Sequence, residues 1–253
     1  MWGVGGLVFV LLVGLAYIGF TRPTYACLNQ FDPSPAPSWV APSPVPVASG
    51  ASPAPAVTPP PPGYVQPDMG AVHAGTGSTI NYRYCPPASG RHYSEAGIGP
   101  LEPGVYGPDD VAVPPGWVHN LEHGALVLLY RCPGPACDEA GQQQLEELYS
   151  RWPPSPICGF TVGTRDTPVF ARFDDMAWNY AAVVWDVVLP MDAIDEPLLL
   201  EFFNRQAERN APERLCPLPT PTPGPATPTP IPTTSPAASP AASPATTTGP
   251  SPS

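Results

Sequence analysis

The chain has 253 residues, 43 of them proline, and a formal net charge of −11 from 21 acids against 10 bases. Every base is arginine and none of them cluster. The phosphate contacts that dominate nucleic-acid binding therefore have no source, and nucleic acid is excluded as a partner.

Residues 1–20 are uncharged and mostly Leu, Val, Gly and aromatic. A secretory signal needs an apolar core of only about 7–15 residues, whereas a membrane helix needs about 20. Residues 1–21 accordingly read as an uncleaved transmembrane anchor, with the cell membrane as partner. Cleavage after Ala26 is the main alternative, and Cys27 invites a lipoprotein reading, although Thr24 stands where a lipobox has leucine. Arg22 follows the apolar stretch, which by the positive-inside rule places the rest of the chain inside. The six cysteines and the Pro/Thr/Ser stretches argue for an oxidising, extracytoplasmic side. We adopt that orientation.

Residues 22–67 read as a Pro/Ala/Ser-rich disordered spacer and 217–253 as a Pro/Thr/Ser-rich disordered tail. Neither carries the hydrophobic periodicity needed to offset chain entropy. At roughly 3.1 Å per residue, the spacer's 35 uncharged residues 33–67 predict a stalk of up to about 100 Å. Residues 68–216 remain as one globular domain.

Within it, 68–118 is rich in Gly, Pro and Tyr and reads as loops and short strands. Ala125 to Tyr130 is a continuous apolar run, as in a strand buried on both faces. Asp138 to Arg151 reads as a helix capped by Asp138, with Leu145 and Leu148 on one face. Pro168 to Phe173 and Ala181 to Leu189 read as strands. Asp195 to Arg209 reads as a helix with Pro197 in its first turn and Leu198, Leu199, Phe202 and Phe203 on one face. The predicted fold class is α/β (α+β), a single compact domain with a β-α-β-β-α core compatible with a thioredoxin-like arrangement.

The four histidines, His73, His92, His119 and His123, all fall in one stretch. The segment from His119 to His123 is His-x-x-Glu-His, the inverted zinc-protease pattern, whose chemistry needs a helix. Pro114, Pro115 and Gly116 before it and Gly124 after it predict a turn instead. In an extended strand the two histidines would stand about 13 Å apart and could share no metal. A metal reading survives if loops converge. His92, His119 and His123, with Glu122 and with His73 as a fourth imidazole, suit copper or zinc. The competing reading is a structural network in which Glu122 accepts from a neutral histidine. No catalytic residue is assigned, and a metal-binding or delivery module is favoured over a hydrolase.

Cys132 and Cys137 stand between a predicted strand and a predicted helix, where a helix N-terminus lowers a thiol pKa. Thr167-Pro168 opens a later strand, as a Thr-Pro pair does near the redox site of thioredoxin-like folds. Two readings stand: a structural loop disulfide, or a thiol-disulfide oxidoreductase. Cys85, Cys158 and Cys216 offer a second bridge, but six cysteines allow 15 pairings and spacing does not choose.

Three segments carry a family resemblance: Tyr84-Cys-Pro-Pro-Ala-Ser-Gly-Arg-His92, Gly104-Val-Tyr106 and Val118-His-Asn-Leu-Glu-His-Gly124. Together with Ala211-Pro212-Glu213 they resemble the bacterial domain-of-unknown-function family numbered 3105, over about 68–215. Ala88 stands where the family has Thr, and Cys85 where an aromatic or similar residue is common. The resemblance implies an exported or membrane-anchored protein and carries His92, His119, Glu122 and His123 as motif positions, with His73 at a looser one. It implies no activity.

Overall fold

The computed structural model describes residues 25–33, 60–75, 77–160 and 167–218, all within the unit that ends at Pro219. They form one mixed α+β domain of ten short strands and three helices. The strands are β1 (Tyr25–Cys27), β2 (Tyr64–Val65), β3 (His73–Ala74), β4 (Ile80–Tyr82), β5 (His92–Tyr93), β6 (Gly104–Val105), β7 (Val127–Tyr130), β8 (Val169–Arg172), β9 (Tyr180–Val184) and β10 (Val187–Met191). The helices are α1 (Pro114–Glu122), α2 (Glu139–Ser150) and α3 (Glu196–Gln206).

A six-stranded mixed sheet, ordered β2-β10-β9-β7-β8-β6, forms the centre. Its middle strand, β7, is fully buried along its length, as its unbroken apolar run dictates. Side chains alternate across a pleated strand. Val127 and Leu129 therefore face one core with Trp117, Val118 and Leu121 of α1. Leu128 and Tyr130 face the other, with Leu145 and Leu148 of α2 and Leu199, Phe202 and Phe203 of α3. The result is three layers, with α1 and the short-strand region on one side of the sheet and α2 and α3 on the other.

Both predicted helices begin where their caps place them. The Asp138 carboxylate accepts from the Gly141 N–H and the Asp195 carboxylate from the Leu198 N–H, satisfying donors that a helix leaves unpaired. The predicted strand from Ala181 to Leu189 is two strands, because Trp185 and Asp186 form a hairpin turn with Val184 paired to Val187. Asp186 takes φ 61°, a left-handed conformation that short polar side chains tolerate.

Burial pushes the Asp186 carboxyl up to about 6, partly offset by a hydrogen bond from Ser89 and reinforced by the nearby charge of Asp68. A carboxyl raised in the folded state weakens folding once it ionises. Stability is therefore lost as pH rises from about 4 through about 6. Asp186→Asn keeps the turn and removes the charge. It is expected to stabilise the protein by about 1–2 kcal/mol at pH 7, after allowance for partial solvent screening. No gain by denaturant titration at pH 7, or a larger gain at pH 4 than at pH 7, would overturn this.

The folded unit is larger than the predicted 68–216. Residues 25–33, read from sequence as spacer, are stitched into it. β1 pairs parallel to β4, the Phe31 N–H donates to the Cys85 carbonyl at 2.8 Å, and a disulfide joins Cys27 to Cys85. That bond occupies the Cys27 sulfur, so the lipoprotein reading of Cys27 falls. Residues 64–65 pair with β10, and buried Gln66 bonds both the Pro86 carbonyl and the Ala88 N–H. The proline content masked these segments, because their anchors are non-local partners. Residues 25–33 and 60–67 of the predicted spacer thus belong to the domain, and its remainder, 34–59, lies outside the described residues. Among the described residues no helix is long and apolar enough to cross a membrane. The anchor read at 1–21 lies outside them up to residue 24, as does the tail beyond residue 218.

Candidate metal centre

The largest departure from the sequence reading lies in the histidine segment. Pro114 to Glu122 is an α-helix, not a turn. Pro114 and Pro115 occupy its first positions, where the missing N–H is not needed and a fixed φ of about −65° suits the helix. Gly124, at φ 104°, ends it, and a Cβ there would meet Glu208 at 2.8 Å. Every residue of α1 is buried. Gly116 allows this, because a Cβ at that position would lie 2.6 Å from the Ile98 carbonyl oxygen. The Asn120 side chain fixes the helix further, accepting from the Leu101 N–H and donating to the Leu101 carbonyl.

The helix carries His119 and Glu122 one turn apart on one face. The parallel pairing of β3 with β5 sets His73 directly beside His92. These two pairs meet. Glu122 Oε2 lies 2.9 Å from His92 Nε2, 3.4 Å from His73 Nε2 and 3.8 Å from His119 Nε2. One ligand atom from each of the four residues falls within 4.8 Å of all the others. A tetrahedral site with bonds of about 2.0–2.1 Å spaces its ligand atoms roughly 3.4 Å apart, so closing onto an ion needs shifts of an ångström or so. His92, His119 and Glu122 are buried, while half of the His73 side chain is exposed and forms the solvent side of the cluster.

Ring orientation is set by the backbone. His92 Nδ1 lies 2.9 Å from the Gly90 carbonyl oxygen, and His119 Nδ1 lies 2.7 Å from that of Tyr93. A carbonyl can only accept, so each Nδ1 carries the proton and each Nε2 presents its lone pair to the centre in the neutral ring. Outer contacts of this kind are how metal-binding histidines are aimed.

His123 stands apart. Its ring packs on His119 with centroids 4.8 Å apart, but its Nδ1 faces Glu213 at 3.4 Å. Of the five residues expected from sequence, the structure thus brings His73, His92, His119 and Glu122 together and directs His123 elsewhere. The protease arrangement is not formed either, since it requires both helix histidines on the metal and a free glutamate as base. Sequence reasoning did not assign roles to the Gly90 and Tyr93 carbonyls or to Glu213. The tight turn before His92 and the Ala211-Pro212-Glu213 signature were the available signals.

A family model described as "Protein of unknown function (DUF3105)" matches residues 73–217, more than half of the chain. The chain belongs to the DUF3105 family. Neither a curated protein nor a solved structure matches it. The match opens at His73, so all four clustered residues of this DUF3105 domain lie inside the family region.

Burial lowers the His119 pKa to about 4, opposed by the Tyr93 hydrogen bond and by Glu122, and aided by His92 and His123. An unfolded histidine binds a proton near pH 6.5, which this folded one resists. The stabilisation is therefore complete above about pH 6.5 and lost as pH falls toward 4. His119 is expected to contribute a loss of up to about 3 kcal/mol over that window, opposite in sign to the Asp186 contribution, and His119→Gln should remove the His119 part of the slope. Thermal melts between pH 4 and 7.5 check this; equal slopes for both proteins would contradict it.

Proposed function

We propose that this protein binds a transition metal, zinc or copper, through His73, His92, His119 and Glu122, on the extracytoplasmic side of a membrane to which residues 1–21 tether it. The observation that carries the reading is the 2.9 Å separation of His92 Nε2 from Glu122 Oε2. With Nδ1 bonded to the Gly90 carbonyl, both facing atoms are lone-pair acceptors. Two acceptors at that distance need a cation between them, either a proton or a metal. The same carboxylate oxygen faces two further imidazoles, and three nitrogens around one oxygen match the ligand preferences of zinc and copper.

The role is binding or delivery, with hydrolysis disfavoured because Glu122, the one carboxylate at the centre, is used as a ligand. Half-exposed His73 gives the ion a route to solvent. A thioredoxin-like core remains part of the proposal. β7, α2 and β8 form a βαβ unit with adjacent parallel strands, and β9, β10 and α3 complete it. The test is metal analysis of the purified full-length protein after incubation with zinc or copper and desalting, with His119→Ala as control. Near-stoichiometric metal in the wild type and little in the variant is expected. Equal content in both overturns the reading.

A further inference from the structure

We infer that Cys132 and Cys137 form an exchangeable redox pair that oxidises the dithiol of a cysteine-bearing polypeptide segment. This inference is independent of the metal centre.

The three disulfides are of two kinds. Cys27–Cys85 and Cys158–Cys216 each join residues 58 apart, whereas Cys132–Cys137 joins residues only five apart. In the chain-entropy view a longer closed loop stabilises more, so the short bridge is the weakest of the three as a staple. The turn it closes is also held without it. The Cys137 N–H donates to the Gly134 carbonyl, Gln142 Nε2 to the Ala136 carbonyl, and the Cys132 N–H to Asp174 Oδ1. Gly141 lets α2 press on this turn, since a Cβ there would lie 2.0 Å from the Pro135 carbonyl oxygen. The backbone thus keeps both cysteines in place whether or not the sulfurs are joined. In the dithiol form the Cys137 thiol already has an acceptor, the Arg131 carbonyl at 3.3 Å.

Both cysteines are partly exposed residues, and the Cys132 backbone N–H bonds Asp174, which lines a cleft. A cavity of about 370 Å³ is lined by Tyr25, Val111, Arg172, Phe173 and Asp174 among others. Its volume falls in the range of about 300–1,000 Å³ typical of ligand sites. Asp174 is shared: the same carboxylate that accepts from Cys132 forms one wall and is held in a bidentate pair with Arg172. A segment seated there lies one hydrogen-bonded residue, Asp174, from the Cys132 backbone. Cys137 precedes Asp138, the N-cap of α2, where the helix dipole favours a thiolate and so a good leaving group.

The exchange balances as follows. A substrate thiolate bonds to Cys132 Sγ and the Cys132–Cys137 bond breaks, its electron pair leaving on Cys137 Sγ. The second substrate thiolate then attacks the substrate sulfur of the mixed disulfide, and Cys132 leaves as thiolate. The substrate dithiol becomes a disulfide, its two protons pass to solvent or to the new thiolates, and the protein pair is reduced.

The oxidised full-length protein can be equilibrated in graded reduced and oxidised glutathione, quenched in acid, alkylated and digested, and the state of each pair read by mass. Cys132–Cys137 is expected to have an equilibrium constant at least tenfold more oxidising than the other two bridges, with native circular dichroism retained when it alone is reduced. A synthetic two-cysteine peptide in reduced form should be oxidised stoichiometrically by the wild type, and Cys137→Ser, offered the same peptide in its disulfide form, should capture it as a mixed disulfide several-fold better than Cys132→Ser. Reduction of all three bridges together, only as the protein unfolds, would sink the inference. So would equal capture by the two variants.

Discussion

Glu122→Gln is expected to abolish tight metal binding while leaving the metal-free protein as stable as the wild type, or more so. The amide is nearly isosteric with the carboxylate, so the packing of α1 is retained. What changes is charge. A divalent ion at the three imidazoles keeps its nitrogen ligands but loses the one anionic ligand, whose Oε2 faces all three rings. In the metal-free wild type that carboxylate is buried, with only 4% of the side chain exposed. Removing a buried charge commonly stabilises a protein if its hydrogen bonds are kept. The amide can accept and also donate to a bare Nε2, which the carboxylate cannot do.

Metal at 100 times its dissociation constant adds about 2.7 kcal/mol of stability to the wild type, or roughly 5–10 °C in Tm for a domain of this size. The variant should show almost none of that shift. Scanning calorimetry with and without zinc, and again with copper, checks the prediction. A variant that keeps the full shift would remove Glu122 from the centre.

Loss of the Cys27–Cys85 bridge is expected to destabilise the fold strongly. A bridge between residues 58 apart contributes about 4 kcal/mol by loop entropy, against about 2 kcal/mol for residues five apart. The double variant Cys27→Ala, Cys85→Ala should therefore lower Tm by roughly 8–16 °C, about twice the effect of Cys132→Ala, Cys137→Ala. Protein begun at residue 68 should be destabilised at least as much, because it also lacks β1, the backbone pairs to Cys85 and buried Phe31. Chemical denaturation of the three proteins side by side gives the ranking. Equal losses for the two double variants would mean that the N-terminal strand holds itself in place without the bond.

The legible parts of the fold were those with local signals. Helices α2 and α3 announced themselves through Asp138 and Asp195, and β7 through its unbroken apolar run. Helix α1 was hidden because Pro-Pro-Gly reads as a turn when the prolines are not recognised as first-turn residues. The hairpin at Trp185 and Asp186 was hidden because Trp is no usual turn former, Asp186 has no Gly or Asn beside it, and a strand pattern runs straight across it. At the site, residue types were legible and partners were not. His92, His119 and Glu122 stood out by composition and motif. That His73 lies beside His92 depends on a parallel pairing of two-residue strands, and no spacing rule contains it. That His123 turns away depends on Glu213, about 90 residues later, whose own N–H is bonded to the Glu122 carbonyl.

The stitching of residues 25–33 into the domain changes the protein's reach. Should the apolar stretch 1–20 serve as the anchor its sequence predicts, only residues 21–24 separate it from β1. Four residues span roughly 14 Å at full extension, not the 100 Å of a proline-rich stalk. The domain would then ride on the bilayer like a buoy on a short chain, and anything that exchanges metal or thiols with it would have to be membrane-bound itself or come to the membrane surface.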